Sequence, residues 1–365
     1  MKVLLFAIRS SHKKFFIELK KEDNDFFDIS FPKYKWSLSF KALKLLHKVD
    51  FKPSVDFAID EFRVKVLAIP KFVLRIYFNI LAIFYYLKYY SILDKKYDAL
   101  LVWNGGKYRQ RIALEIAKLN NIKPIFFENG LLPNRLVLDN KGINADNSVP
   151  REREFFENYS NLLELPKQLI PRRAKNQKKF SVEVKPLPQE FIFVPFQVDS
   201  DTQIITNSKW IKNMRELFTL IVKISKNTNY YFVIKEHPSS SRDYPDLHQV
   251  AEESEYISFA NGYETQELIQ KSCGVITINS TVGIESLLFK KRVIVLGDAF
   301  YRIDGITKSV NSENELLEIL NSFDSWVIND NLIDNFLKYL YYDYLIPKDE
   351  NLYKNFYKFI KESIK

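Results

Sequence analysis

The 365-residue sequence predicts an α/β protein of two Rossmann-like domains, each a mostly parallel sheet covered by helices. Three observations carry that expectation. Short apolar runs recur along the chain and end in small or polar residues, as strands buried on both faces do. Helical patterns fill the gaps between them, and such alternation marks a doubly wound sheet. The length suits two domains, either of which is large enough to bury a core without disulfides or metals.

The elements follow in order. The opening Met1-Lys2-Val3-Leu4-Leu5-Phe6 reads as a buried first strand. Strands are next expected at 99–103, ahead of Asn104-Gly105-Gly106, and at 124–127, ahead of Glu128-Asn129-Gly130, with a helix at 109–119 between them. Residues 165–190 break the rhythm with Pro166, Pro171, Pro186 and Pro188 and the basic run Arg172, Arg173, Lys175, Lys178 and Lys179. Proline and charge together read as a linker. Strands resume at 191–195, 230–234, 274–278 and 293–297, with helices such as 208–225 and 265–271 between them. The tail beyond about 312 reads as helices packed outside or crossing back. The expected organisation is a first domain over 1–165, a linker over 166–190, a second domain over 191–320 and terminal helices over 321–365.

Composition removes several function classes. Hydrophobic residues at 46% and charged residues at 27% exclude wholesale disorder. One cysteine, Cys273, excludes a disulfide framework or cysteine-rich metal site within a chain. The N-terminus meets charge too soon for a secretory signal. The longest apolar stretch, 72–93, is interrupted by Arg75, Asn79 and Lys88, whereas a spanning helix needs about 20 apolar residues. A cytoplasmic setting is therefore expected. The net charge of +9, from 54 basic and 45 acidic residues, favours an anionic partner. No RNA or DNA motif occurs and the basic residues are dispersed, so nucleic acid is not expected.

Doubly wound sheets bind ligands beyond the carboxyl ends of their strands, and four polar clusters sit at such ends. Lys235-Glu236-His237-Pro238 closes one strand. Proline stops it, His237 is placed to donate to a phosphate, and Lys235 adds charge; the plainer reading is a histidine capping a loop. The other histidines, His12, His47 and His248, lack a comparable setting. Asn279-Ser280-Thr281-Val282-Gly283-Ile284-Glu285 follows another strand and opens a helix. Backbone N–H groups and the Ser280 and Thr281 hydroxyls would face a phosphate there, with Gly283 allowing close approach. A simple helix cap is the alternative.

Two acidic clusters complete the set. Pro195-Phe196-Gln197-Val198-Asp199-Ser200-Asp201 contains an Asp-x-Asp pattern. With a histidine, a lysine and a helix terminus at hand a metal is unnecessary, and Asp199 or Asp201 reads better as a carboxylate aimed at a sugar. Glu128, from the first half, would face Asp201 across an inter-domain cleft. Glycoside chemistry commonly uses such a carboxylate pair; two solvated strand-end acids are the plainer reading.

In their order along the chain these motifs resemble the bacterial capsule polysaccharide biosynthesis family. The resemblance rests on Trp103-Asn104-Gly105-Gly106, Phe127-Glu128-Asn129-Gly130, Gly142-Ile143-Asn144 and Ser148-Val149-Pro150-Arg151 in the first half. In the second it rests on Val194-Pro195-Phe196-Gln197, Asp201-Thr202-Gln203, the His237 and Asn279 clusters, Leu296-Gly297, Tyr301 and Gly305-Ile306-Thr307. It spans roughly 100–310.

The family includes retaining β-Kdo transferases, and the resemblance implies a GT-B-like fold with parallel sheets facing across a cleft, CMP-Kdo as donor, and no metal or other cofactor. It implies Asp201 as nucleophilic or stabilising carboxylate, with Asp199 a rival for that role, and Glu128 as acid/base. His237, Pro238, Ser280 and Thr281 would hold the donor phosphate, with Lys235, Gln197, Asn279, Gly283 and Glu285 around it. Asn104, Gly105, Asn129, Gly130, Arg109 and Arg151 would meet sugar or acceptor. The implied partners are a lipid-linked or oligosaccharide acceptor and the inner-membrane surface, for which the aromatic and basic region 77–97 is the candidate. Three alternatives stand: a sialyltransferase, since His-Pro with a Ser/Thr pair is also similar to bacterial sialyltransferases; another nucleotide-sugar transferase of the same fold; and a non-catalytic capsule assembly or export protein.

Overall fold

The structure, a computed structural model, describes residues 1–365 except 32–38, 67, 95–96, 167–184 and 241. The chain forms two compact units. The first comprises Met1–Gly130, Asn134–Ser148 and Tyr344–Lys365; the second comprises Leu131–Pro133 and Val149–Asp343.

The first unit begins β1 (Val3–Phe6), α1 (Ser10–Lys20), β2 (Phe27–Ser30), α2 (Phe40–Leu45), α3 (Lys52–Lys65) and α4 (Lys71–Leu93). It continues through β3 (Ala99–Trp103), α5 (Tyr108–Leu119), β4 (Lys123–Asn129) and β5 (Arg135–Asp139). The second unit holds α6 (Arg153–Asn158), β6 (Ile192–Pro195), α7 (Thr202–Asn207), α8 (Met214–Ser225), β7 (Phe232–Lys235), α9 (Pro245–Glu252) and β8 (Ile257–Phe259). There follow α10 (Thr265–Lys271), β9 (Gly274–Thr277), α11 (Val282–Leu288), β10 (Arg292–Val295), β11 (Lys308–Ser309), α12 (Glu313–Asn321) and α13 (Asp330–Lys338). The chain then returns to the first unit as β12 (Ile346–Pro347) and α14 (Leu352–Ser363).

The expected boundary at 165 falls instead at Ser148, and the terminal residues divide rather than staying together. The reason is local bonding. Asn335 donates to the Phe156 carbonyl at 2.8 Å, Tyr159 to Asp343 at 2.8 Å, and Arg153 pairs with Asp304, so 149–165 belong with the second unit. On α14, Phe356, Ile360 and Ile364 lie four residues apart and enter the core formed by Phe16, Phe27 and Phe127, the stripe a helix needs to pack on one face. The basic run of the expected linker lies outside the described residues.

Among the described residues each sheet has six strands, ordered β12-β5-β4-β3-β1-β2 and β11-β10-β9-β6-β7-β8. Pairing is parallel except at β4–β5 and β5–β12. Strands β1, β6 and β9 are buried throughout, as coverage on both faces requires. In the first sheet the chain passes from β1 to β2 on one side, then to β3 on the other; in the second it goes from β6 to β7, and later to β9 across from it. The crevices at β1/β3 and β6/β9 are thus the topological switch points, where open α/β sheets bind ligands.

Candidate functional site

In the second unit the adjacent strands β9, β6 and β7 carry the Ser280, Asp201 and His237 clusters to the same edge of the sheet. Beyond β7, Pro238 sits in a turn closed by the Ser240 N–H donating to the His237 carbonyl at 2.9 Å, a position whose φ proline pre-sets. The Ser239 N–H donates to His237 Nδ1 at 3.1 Å. In a neutral imidazole the proton must then sit on Nε2, making that atom a donor. Burial lowers the His237 pKa while the nearby Asp201 charge opposes the shift. The result is an uncharged donor beside a carboxylate.

The two acids of the Asp-x-Asp pattern have different work. Asp199 is 3% exposed. Its Oδ1 accepts from the Met214 N–H at 2.8 Å, and its Oδ2 from Arg242 at 3.1 Å and the Tyr244 hydroxyl at 3.2 Å. It fastens the start of α8 to the 242–244 segment, and both oxygens are engaged away from solvent. That corrects its candidacy as nucleophile. Asp201 is exposed and caps α7, its Oδ1 accepting from the Gln203 N–H at 2.9 Å.

Several residues expected around a donor prove to hold the scaffold. Gln197 and Asn279 are buried and exchange hydrogen bonds: Gln197 Nε2 donates to Asn279 Oδ1 at 3.0 Å, and the Asn279 N–H to Gln197 Oε1 at 3.1 Å. Asn279 Nδ2 also donates to the Gln203 and Asn207 carbonyls. The pair ties the two loops of the switch point together. Gly283 is required by Tyr301: a Cβ there would lie 2.7 Å from the Tyr301 hydroxyl, which donates to the Ser280 carbonyl at 2.6 Å. The close approach that glycine allows is therefore by a tyrosine ring. Lys235 is drawn inward, donating to the Asn261 and Tyr263 carbonyls at 2.9 and 2.5 Å, and burial lowers its pKa.

Ser280 Oγ accepts from the Val282 N–H at 3.2 Å. Thr281, at the N-cap of α11, is exposed and makes no side-chain capping bond. Glu285 lies half-buried in the first turn of that helix.

In the first unit, Glu128 is the penultimate residue of β4, next to the end of β3. Its Oε1 accepts from Trp103 Nε1 at 3.2 Å and from the Asn129 N–H at 3.0 Å, and its Oε2 from the Asn104 amide. Asn104 and Gly105 have φ of 69° and 77°, a left-handed pair that glycine and asparagine tolerate best. The Asn104 side chain also accepts from the Gly106 N–H at 2.9 Å. Gly130 is needed for the β4–β5 turn, since a Cβ would lie 2.3 Å from the Arg135 carbonyl. Asn129 is exposed and accepts from Lys348 at 3.2 Å.

Two cations turn away from the expected role. Arg109 donates to the Tyr89 hydroxyl at 2.7 Å and lies 5.1 Å over the Tyr85 ring, joining α5 to α4. Arg151 belongs to the second unit, bonds the Val149 carbonyl and lies 5.7 Å over Phe300.

Two further histidines have definite partners. His12, in the first turn of α1, stacks on Trp103. His248 Nε2 lies 2.6 Å from Glu236 Oε1 and its ring stacks 3.9 Å from that of Phe259. Neither carries a local motif; their partners come from other strands. Among the described residues no group of three or more His, Cys, Asp or Glu gathers as metal ligands would.

The family model described as capsule polysaccharide biosynthesis protein matches residues 98–183 and 167–344. The chain belongs to that family. Among relatives, the Protein FixF of Sinorhizobium fredii (strain NBRC 101917 / NGR234) is 38% identical over 251 residues, which cover 68% of this chain and 60% of FixF. The capsule polysaccharide export protein KpsS of Escherichia coli is 26% identical over 277 residues, covering 58% of this chain and 70% of KpsS. The chain thus spans less than two thirds of FixF. A solved structure, the β-Kdo 2,7 transferase of Thermosulfurimonas dismutans KpsC, superposes over 100% of both chains with a TM-score of 0.53 at 16% identity. That likeness concerns the fold, which is α/β and GT-B-like.

Proposed function

We propose that this capsule-family protein is a glycosyltransferase that moves Kdo from CMP-Kdo to a lipid-linked or saccharide acceptor, with retention of configuration and without a metal. The observation that carries the reading is the neutral His237 donor beside exposed Asp201 at an edge shared with Ser280 and Thr281. An uncharged N–H and two hydroxyls suit a phosphate that must leave, since they stabilise charge as it grows without fixing the ground state too tightly. Asp201 attacks the anomeric carbon, the carbon–oxygen bond to phosphate breaks, and CMP departs with the electron pair. The acceptor hydroxyl then displaces Asp201 while Glu128 takes its proton. The Trp103 indole, the Asn104 amide and the Asn129 N–H hold the Glu128 side chain in place. Asp199, Gln197, Asn279, Gly283 and Lys235 act at one remove, by positioning.

Thermal protection tests the donor. At a hundredfold excess over Kd, CMP stabilises the site it binds by about 2.7 kcal/mol, a Tm rise of several degrees. CMP raises the Tm of the wild type and fails to do so for His237→Ala. Protection by UDP with none by CMP removes the donor assignment.

A further inference from the structure

We propose that the amino-terminal half of α4 is a docking face that lies in the plane of an anionic phospholipid surface. By length and apolar composition α4 is sufficient to cross a membrane, but its two halves differ. In the second half Tyr86, Tyr89, Tyr90 and Leu93 are fully buried. Tyr86 donates to the Ala42 carbonyl at 2.9 Å and Tyr89 accepts from Arg109. Spanning would tear these residues from the core. The region 77–97, expected as the interfacial surface, is for the most part the half that covers the protein.

The first half is the reverse. Phe72, Ile76 and Ile80 are 67, 59 and 63% exposed, and Val73, Tyr77 and Ile83 are exposed as well. At about 100° per residue these six positions fall within an arc of about 140°, while Leu74 and Ala82 are buried. Soluble proteins seldom leave so continuous an apolar stripe uncovered, and a helix apolar on its outer face and cationic at its margins is the pattern of interfacial binding.

Charge selects the occupant. From residue 62 to 93 the chain has no Asp or Glu, yet carries Arg63, Lys65, Lys71 and Arg75, besides the buried Lys88. Lys71 is exposed at the start of α4 and Lys65 at the end of α3; Arg75, also exposed, bonds Asp56 at 2.7 Å. A twofold contact between copies would set this basic face against itself. An anionic lipid surface complements it, each cation adding roughly 1 kcal/mol. The inference rests on this surface alone, not on which sugar is moved, so vesicle binding and donor binding fail separately.

The test is flotation of the full chain with phosphatidylcholine vesicles and with vesicles one-third phosphatidylglycerol, at low and high salt. The wild type floats with the anionic vesicles, and salt weakens that binding. The exposed-site variant Ile76→Glu/Ile80→Glu loses about tenfold or more in bound fraction, the sign expected when charge replaces buried apolar area, and keeps the wild-type Tm. Absence of wild-type binding, or equal binding by the variant, overturns the proposal. So does light scattering that finds a wild-type dimer which the variant dissolves, because the face then belongs to a second copy.

Discussion

His12 lies flat on Trp103, with ring centroids 4.7 Å apart and planes 11° from parallel, and the same indole donates to Glu128. The imidazole is 5% exposed and its Nδ1 is buried without a hydrogen-bond partner among the described residues. Burial, with the Arg9 charge, lowers its pKa to about 4 from 6.5. Between those values the unfolded chain binds a proton that the folded chain does not. Stability therefore falls as pH drops from about 6.5 towards 4, by at most about 3 kcal/mol, and this group contributes no slope above or below that window.

Urea unfolding at pH 7 and pH 4.5 measures the effect. His12→Phe keeps a ring on Trp103 and removes the titration. It loses less stability on acidification than the wild type, by about 2 kcal/mol. An identical loss in both assigns the acid sensitivity to other groups.

Asp199 and Asp201 separate stability from activity. Asp201→Asn leaves an equally good N-cap, so the Tm stays within about a degree while sugar transfer falls by a hundredfold or more, as expected for loss of a nucleophile. Asp199→Asn leaves the Arg242 guanidinium without its carboxylate and costs about 2–3 kcal/mol. Comparing Tm with turnover for both variants checks this. A stable, inactive Asp199→Asn beside an active Asp201→Asn reverses the assignment.

Gln197 and Asn279 act as one unit across the switch point. Gln197→Ala leaves the Asn279 N–H and Oδ1 without their partner, and Asn279→Ala leaves Gln197 Nε2 without its acceptor; either costs about 1–3 kcal/mol. A double-mutant cycle by urea unfolding yields a coupling of about 1–2 kcal/mol. Additive losses show that each amide is held by its remaining partners alone.

Much of the fold was legible because buried parallel strands announce themselves locally. The strands expected at 99–103, 191–195 and 274–278 are β3, β6 and β9 within a residue at either end, and the helix at 265–271 is α10. The helix expected from 208 begins only at Met214, where Asn213 caps it by accepting from the Glu216 N–H. What stayed hidden depends on partners far along the chain. Nothing beside Asp199 signals Arg242 and Tyr244, which bury it, and nothing beside His12 signals Trp103. The split of the tail follows from contacts of α6 with α13 and of α14 with α1, which periodicity cannot register.

Incubation of the wild type with CMP-Kdo and a lipid-linked or oligosaccharide acceptor, read by mass spectrometry, tests the account most directly. The account predicts an acceptor heavier by one or more Kdo residues, CMP released in step, and no product with Asp201→Asn or Glu128→Gln. A mass gain for a different sugar, or undiminished product from both variants, contradicts it.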